Sequence, residues 1–305
     1  MSSYHSGERA AQARAGLSEQ AEFSGRAIGD SIPDVAAQFL REQPMLILGA
    51  ADEAGRLWAT RLIGQPGFLH TEDPKVLAID ALPGAGDPLA DRFEQARSRD
   101  EQVRIGAIAI EPATRRRMRL NGRASVRACG LRLELDQVIA NCPKYLQKRE
   151  LVGLPSLPER EPEVTDGTML SRAQQLTIEM ADTFFVATAS ATADADASHR
   201  GGNPGFIEVL SPTRLRWPDY VGNGMFLTLG NLSQNPAAGL LIPDWDTGSS
   251  LHLSGTATVD WEPGEAVPGA QRLVDFTLTR VRQLSAPSAL RWGPVSYSRF
   301  NPSRR

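Results

Sequence analysis

Residues 198 to 206, Ser-His-Arg-Gly-Gly-Asn-Pro-Gly-Phe, bring together groups suited to holding an anion. Arg200 offers a planar fork of donors and Ser198 a hydroxyl, while Gly201 and Gly202 allow close approach to the backbone. Residue type alone leaves a second reading open: an arginine with only a structural role on a glycine-rich turn. Further on, Pro218 to Pro236 places turn formers around a run of amide and hydroxyl side chains. Asn223, Thr228, Asn231 and Ser233 could hydrogen-bond a polar heteroaromatic ring or a phosphate. An ordinary turn–helix–turn is the other reading.

Several chemistries are excluded. No G-x-x-x-x-G-K-[ST], no G-x-G-x-x-G between strand and helix, no H-E-x-x-H and no G-x-S-x-G occurs. His5, His70, His199 and His252 lack metal-ligand spacing, and Cys129 and Cys142 fit no zinc pattern, so no metal site is expected. Ser198 and His199 are neighbours on a strand and point to opposite faces, so they form no nucleophile–base pair. No catalytic residue can be named. His199 reads as a positioning donor, and Cys142 as either redox active or simple packing. Trp217, Tyr220, Trp245, Trp261 and Trp292 are candidates for stacking on a ligand or for the core.

These residues need positioning elements. Residues 1–30 read as a frayed or peripheral arm that could dock on a neighbour but cannot form a core alone, with Leu17 and Phe23 its large apolar groups. A helix is predicted from Pro33 to about Glu42, then a buried strand at Met45–Leu48 and another at Leu57–Ile63. Short strands follow at 67–70, 76–79, 103–110, 117–127 and 131–135, punctuated by Gly and Pro. That spacing favours a small barrel or sandwich over a parallel α/β sheet. Residues 151–169, with Pro155, Pro158 and Pro162 among acidic residues, read as an extended, solvated linker. A helix at 171–181, with Ser171 as its cap, precedes a strand at 183–187.

The second half echoes the first. Gly202-Asn203-Pro204-Gly205-Phe206-Ile207 follows Gly64-Gln65-Pro66-Gly67-Phe68-Leu69 by 138 residues. Leu253-Ser254-Gly255-Thr256-Ala257 follows Leu120-Asn121-Gly122-Arg123-Ala124 by 133. Two landmarks in the same order at nearly the same offset point to a duplicated unit, the other reading being coincidence between two β-rich halves.

Composition sets the outer bounds. The 305 residues carry 33 Lys and Arg against 36 Asp and Glu, a net charge of −3, which argues against a general nucleic-acid partner. No apolar run is long enough to span a bilayer, and no secretory leader is evident, so no membrane partner is expected. Two cysteines exclude a disulfide framework and make a reducing, cytoplasmic setting the expectation.

Taken together, Ser198–Phe206, Pro218–Asn223, Thr228–Leu241 and Gly248–Ala257 resemble the pyridoxamine 5′-phosphate oxidase-like family, in its flavin-nucleotide-binding split-barrel branch. The matched segments all lie in the second half. A further segment, Asn141-Cys142-Pro143-Lys144-Tyr145, looks like an element near the end of the barrel in related proteins. The resemblance implies a mainly β chain with peripheral helices: two tandem FMN-binding split β-barrels of six antiparallel strands. The first barrel is expected at 31–150, and the second, carrying the flavin motifs, at 170–305. FMN would sit at the junction of two barrels, within the chain as a pseudo-dimer or in a homodimer.

By resemblance, Ser198, His199, Arg200 and Gly201 match the strand that contributes to flavin and phosphate binding. Asn223, Thr228 and Asn231 match the segment following the ring and phosphate, and Lys144 could add a positive charge from the first half. One departure stands out. Gly224-Met225 occupy a place where relatives often carry basic residues, so phosphate charge must be met by Arg200, Lys144 or another residue, or the ligand is bound differently. The first-half counterpart, Gly86-Asp87, is acidic, and one flavin site per chain is expected. The implied activity is an FMN-dependent oxidoreductase passing hydride or electrons between NAD(P)H or a small organic substrate and an acceptor. The alternative is a non-catalytic flavin- or haem-binding split-barrel module.

Overall fold

The computed structural model describes residues 4–153, 162–264, 267–285 and 290–303. Seven strands build the first sheet: β1 Met45–Ala51, β2 Leu57–Ile63, β3 Leu69–Asp73, β4 Val76–Ile79, β5 Val103–Glu111, β6 Arg116–Arg127 and β7 Gly130–Ala140. Seven build the second: β8 Thr183–Ala189, β9 Ala195–Gly201, β10 Glu208–Ser211, β11 Arg214–Tyr220, β12 Ala237–Pro243, β13 Ser250–Asp260 and β14 Ala270–Ser285. The orders are β2-β1-β5-β6-β7-β4-β3 and β9-β8-β12-β13-β14-β11-β10. Adding seven to each label of the first order gives the second. Both sheets are antiparallel and neither closes, the open form of a split barrel. Each takes one further short strand, so the sheets have eight strands where six were expected for each barrel.

The two sequence echoes occupy equivalent places. Gly67 and Gly205 both have positive φ, at 103° and 83°. The Phe68 and Phe206 amides each close the same turn, onto Gln65 O and Asn203 O at 2.9 Å. Gly122 and Gly255 both sit at a register shift. A Cβ there would fall 1.9 Å from Glu134 O and 2.1 Å from Thr277 O, so only glycine fits either bulge.

The continuous apolar strands follow from burial on both faces. In β1, Leu46, Leu48 and Ala50 enter the first core, while Met45 and Ile47 enter a cluster between the halves. In β8, Phe184 and Val186 enter the second core, while Phe185 and Ala187 meet that same seam. The seam has pseudo-twofold symmetry. A Cβ on Gly106 would lie 2.4 Å from Asp196 Cα, and one on Gly239 would lie 2.5 Å from Trp58 Cα. Gly239 and Asp196 are the counterparts of Gly106 and Trp58, so the backbones cross reciprocally at glycine. Side chains such as Phe185, Ile108 and Leu241 are fully or almost fully buried there, worth about 1.5–3 kcal/mol each.

Six helices flank the sheets: α1 Ser6–Arg14, α2 Ser18–Gly25, α3 Asp34–Glu42, α4 Ala90–Arg99, α5 Arg172–Met180 and α6 Leu227–Gln234. The α3 helix lies where the sequence places it, starting after Pro33 and burying Phe39 and Leu40. Ser171 caps α5 in a reciprocal box with Gln174. The α4 helix was not legible, since only Phe93 and Ala96 are buried among its polar residues. None of the helices is long and apolar enough to cross a membrane among the described residues.

The arm docks on the second half: α1 packs on α6 through a glycine crossing, with a Cβ on Gly7 falling 2.4 Å from Gly230 O. The linker is extended and exposed at residues 163–166, as its composition implies, but it is tied into sheets. Glu163–Gly167 forms a strand on Val281–Ser285, and Leu151–Gly153 pairs with Arg291–Trp292. The reason is that β14 runs past its pairing with β11, and its spare edge takes up the chain. Residues 154–161 of the linker lie outside the described residues.

Candidate functional site

A cleft of about 280 Å³ opens where the two halves meet, roofed by α2 of the arm. The first half contributes Arg117 and Arg119 from β6 and Lys144 and Tyr145 from the segment after β7. The second half contributes His199, Arg200 and Gly201 from β9, Asp219 and Tyr220 from β11, Asn223, and Thr228 from α6. Leu17 and Gln20 come from the arm. Arg117 and Arg119 share a face because strand side chains alternate, with Met118 and Leu120 turned into the core.

The cleft is strongly cationic. Arg117, Arg119, Lys144, Arg200 and Arg272 line it, with Asp219 the lining carboxylate. Asp219 is buried and bridges two of them, taking Arg200 Nη1 at 2.5 Å and Arg272 Nε at 2.9 Å. Arg117 donates to His199 Nδ1 at 2.7 Å and to Cys142 O at 2.9 and 2.6 Å. Burial and then the neighbouring Arg119 press its pKa down. An arginine can only donate, so Nδ1 of His199 accepts and its proton sits on Nε2. Burial, then Arg117, Arg200 and Arg119, hold the His199 pKa well below the usual range, so the ring is neutral.

Four buried polar atoms on cleft-lining residues have no protein partner: Arg119 Nε, Arg200 Nε, His199 Nε2 and Asn141 Oδ1. Three of these are donors in a positive surrounding. Leaving buried donors unpaired costs free energy, so the set fits a ligand rich in acceptors and negative charge. A phosphorylated flavin has both, and the residues present fit it. Arg119, Arg200 and Lys144 are basic groups lining the cleft, where Gly224-Met225 supply none.

The structure brings together six of the eight residues singled out from sequence: Lys144, His199, Arg200, Gly201, Asn223 and Thr228. Two lie elsewhere. Ser198 is fully buried beneath the cleft, its Oγ bonded to Asp196 at 3.0 Å and Thr228 at 2.8 Å. Asn231 turns away, bonding His5 at 2.9 Å and Thr188 at 3.0 Å. Gly201 allows contact with protein rather than ligand: a Cβ there would fall 2.1 Å from Tyr145 O. Asn223 orders its own loop, with Oδ1 accepting the Met225 amide at 3.1 Å and its carbonyl accepting Ser24 Oγ at 2.8 Å. Of the aromatic candidates, Tyr220 lines the cleft with its ring 5.0 Å from Tyr145. Trp217 is core between Phe184 and Phe276, and Trp245 packs on Trp292. Trp261 lies under Arg14 and Arg272.

Sequence reasoning missed Arg117, Arg119, Asp219 and the arm. The first pair carried a usable signal, two arginines two apart in an alternating strand, opposite the core face. The pseudo-equivalent place in the other half is chemically different. Arg61 and Leu62 stand for His199 and Arg200, and Ser250 and His252 for Arg117 and Arg119. There His252 bonds Ala59 O and Ser250, and Arg61 bonds Gly248 O, so those groups are satisfied by protein.

No protein-family profile matches the chain, and no curated protein sequence matches it. Comparison with solved structures does find matches. HupZ from Group A Streptococcus is 12% identical, covering 39% of this chain and 98% of its own, with a TM-score of 0.33. An FAD-binding protein from Mesorhizobium loti is 13% identical, covering 40% and 97%, with a TM-score of 0.28. A pyridoxamine 5′-phosphate oxidase-related, FMN-binding protein from Nostoc punctiforme is 15% identical, covering 30% and 48%, with a TM-score of 0.23. The solved structures to which this chain is similar, at low identity, thus include pyridoxamine 5′-phosphate oxidase-like and flavin-binding proteins.

Proposed function

We propose that this protein binds FMN in the cleft between its two halves and works as an oxidoreductase. It would pass hydride or electrons between NAD(P)H, or a small organic substrate, and an acceptor. The observation that carries the reading is the convergence of unpartnered donors from Arg119, Arg200 and His199 on one cationic cleft. Bound flavin supplies the electron-transfer chemistry. The chain's own residues bind, orient and shield. Arg119, Arg200 and Lys144 would hold the phosphate, and the neutral His199 would offer its Nε2 proton to a ligand acceptor. Asp219 fixes the planes of Arg200 and Arg272, and Asp196 orients Arg119 and Ser198. Leu17 and Gln20 limit access of water from the arm side.

The test is the visible spectrum of freshly purified protein. A flavin spectrum that bleaches with NAD(P)H supports the reading. Flavin binding without turnover across nicotinamide, oxygen and small organic donors reduces it to the non-catalytic module. A Soret band, or colourless protein that FMN cannot reconstitute, overturns it.

A further inference from the structure

A second cavity, of about 390 Å³, lies under α1 on the other side of the seam. It is lined by acceptors from three parts of the chain: Glu8 of the arm, Asn121 and Gln137 of the first sheet, and Asp196 of the second. Asn121 is 8% exposed, and its Oδ1 has no partner. Its amide nitrogen faces Asp196 Oδ1 at 3.2 Å and Gln137 Oε1 at 3.4 Å, both acceptors, so the oxygen is fixed in its outward orientation.

Glu8 is 4% exposed; His5 Nε2 stands 3.5 Å from its Oε1, and Arg119, Arg9 and Asp196 act on it electrostatically without a hydrogen bond. Its carboxylate accepts the His5 amide at 2.8 Å, closing the cap of α1. His5 does not serve as its counter-ion. Its Nδ1 accepts the Gly7 amide, so its one ring proton lies on Nε2, which bonds Asn231 Oδ1 at 2.9 Å. The other carboxylates facing the cavity are already paired, Asp196 with Arg119, Asp136 with Arg123 and Asp194 with Arg104. The cavity therefore holds one buried carboxyl that takes no hydrogen bond from a charged side chain and one buried amide oxygen without a partner; the arginine in its lining, Arg123, is engaged by Asp136, and Tyr4 and Leu227 form an apolar wall.

We propose that this cavity is a binding site for a small primary ammonium ion on a short aliphatic chain, its N–H groups shared between Glu8 and Asn121 Oδ1. The ammonium group supplies several donors and one charge, which matches the two acceptors. Burial lifts the Glu8 pKa to about 8, so the free protein keeps it neutral and ammonium binding releases its proton.

The probe is n-butylammonium chloride, titrated calorimetrically into the full chain at pH 7 in two buffers of different ionisation enthalpy. Tetramethylammonium chloride and sodium chloride at equal ionic strength serve as controls. The expected result is saturable heat with butylammonium alone, accompanied by proton release. Glu8→Gln keeps the capping box and matches the neutral carboxyl, so the fold is retained; Asn121→Leu removes the other acceptor. Each variant should weaken binding by about tenfold or more, the scale of a lost charged hydrogen bond. No heat, equal heat with tetramethylammonium, or unchanged affinity in both variants would overturn the proposal.

Discussion

Arg117 of the first half donates to Nδ1 of His199 in the second at 2.7 Å, and this contact decides which ring nitrogen carries the proton. The two residues come from strands of different barrels, and the cleft exists only where those strands meet. A histidine that read as a positioning donor in sequence is thereby held neutral, with Nε2 as the donor. Arg117→Met should free Nδ1 and let the His199 pKa rise, while burial still keeps it below the ordinary value. Ring-nitrogen NMR checks the tautomer, and fluorescence titration should show FMN bound at least tenfold more weakly, given the cost of a lost charged hydrogen bond. Retention of a single Nε2–H tautomer in the variant would show that Arg117 does not set it.

Arg200→Ala removes a donor whose Nε is unpaired and whose Nη1 is held by Asp219. FMN affinity should fall by about 2–3 kcal/mol. Asp219 retains Arg272 as partner, so the melting temperature should move little by comparison. Unchanged FMN affinity in equilibrium dialysis would remove Arg200 from the site.

Gly239→Val places carbon atoms inside the backbone of Leu57 and Trp58, both within 2.6 Å of a Cβ at that position. The seam must part, and urea unfolding should show a loss of about 3 kcal/mol or more, as for severe overpacking. Gly264→Ala is the control. It has φ +65° but open space around it, and should cost only about 1 kcal/mol for the backbone conformation.

Glu8 gives the arm a pH dependence. Its folded pKa is raised from 4.5 to about 8, chiefly by burial, so unfolding releases a proton between those values. Stability of arm docking therefore falls as pH rises through that window, by at most about 1.4 kcal/mol per pH unit, and levels off above it. Hydrogen exchange of α1 amides against pH checks this, after correction for intrinsic rates. Glu8→Gln should flatten the profile; a profile unchanged in that variant would assign the effect to another group.

Much of the fold was legible because strands advertise their period. The run at Met45–Leu48, the paired Gly-x-Pro-Gly-Phe turns and the bulge glycines at 122 and 255 each carry a local requirement that one stretch of chain can express. The α4 helix was not legible, since its buried stripe is only Phe93 and Ala96. The edge strand at Glu163–Gly167 was hidden for another reason: its pairing depends on how far β14 extends.

By itself, the amino-acid sequence determined the β-rich duplicated architecture and most of the polar groups on the second-half wall of the cleft. Local chemistry suffices for that: alternation, turn glycines and donor types are properties of short segments. Only the tertiary structure decided that Arg117 and Arg119 complete the wall, that Ser198 and Asn231 face elsewhere, and that the arm roofs the site. Those outcomes depend on which faces of two sheets are pressed together. A period-two pattern says that two arginines share a face, but the neighbour that face meets is set by the packing of the whole chain.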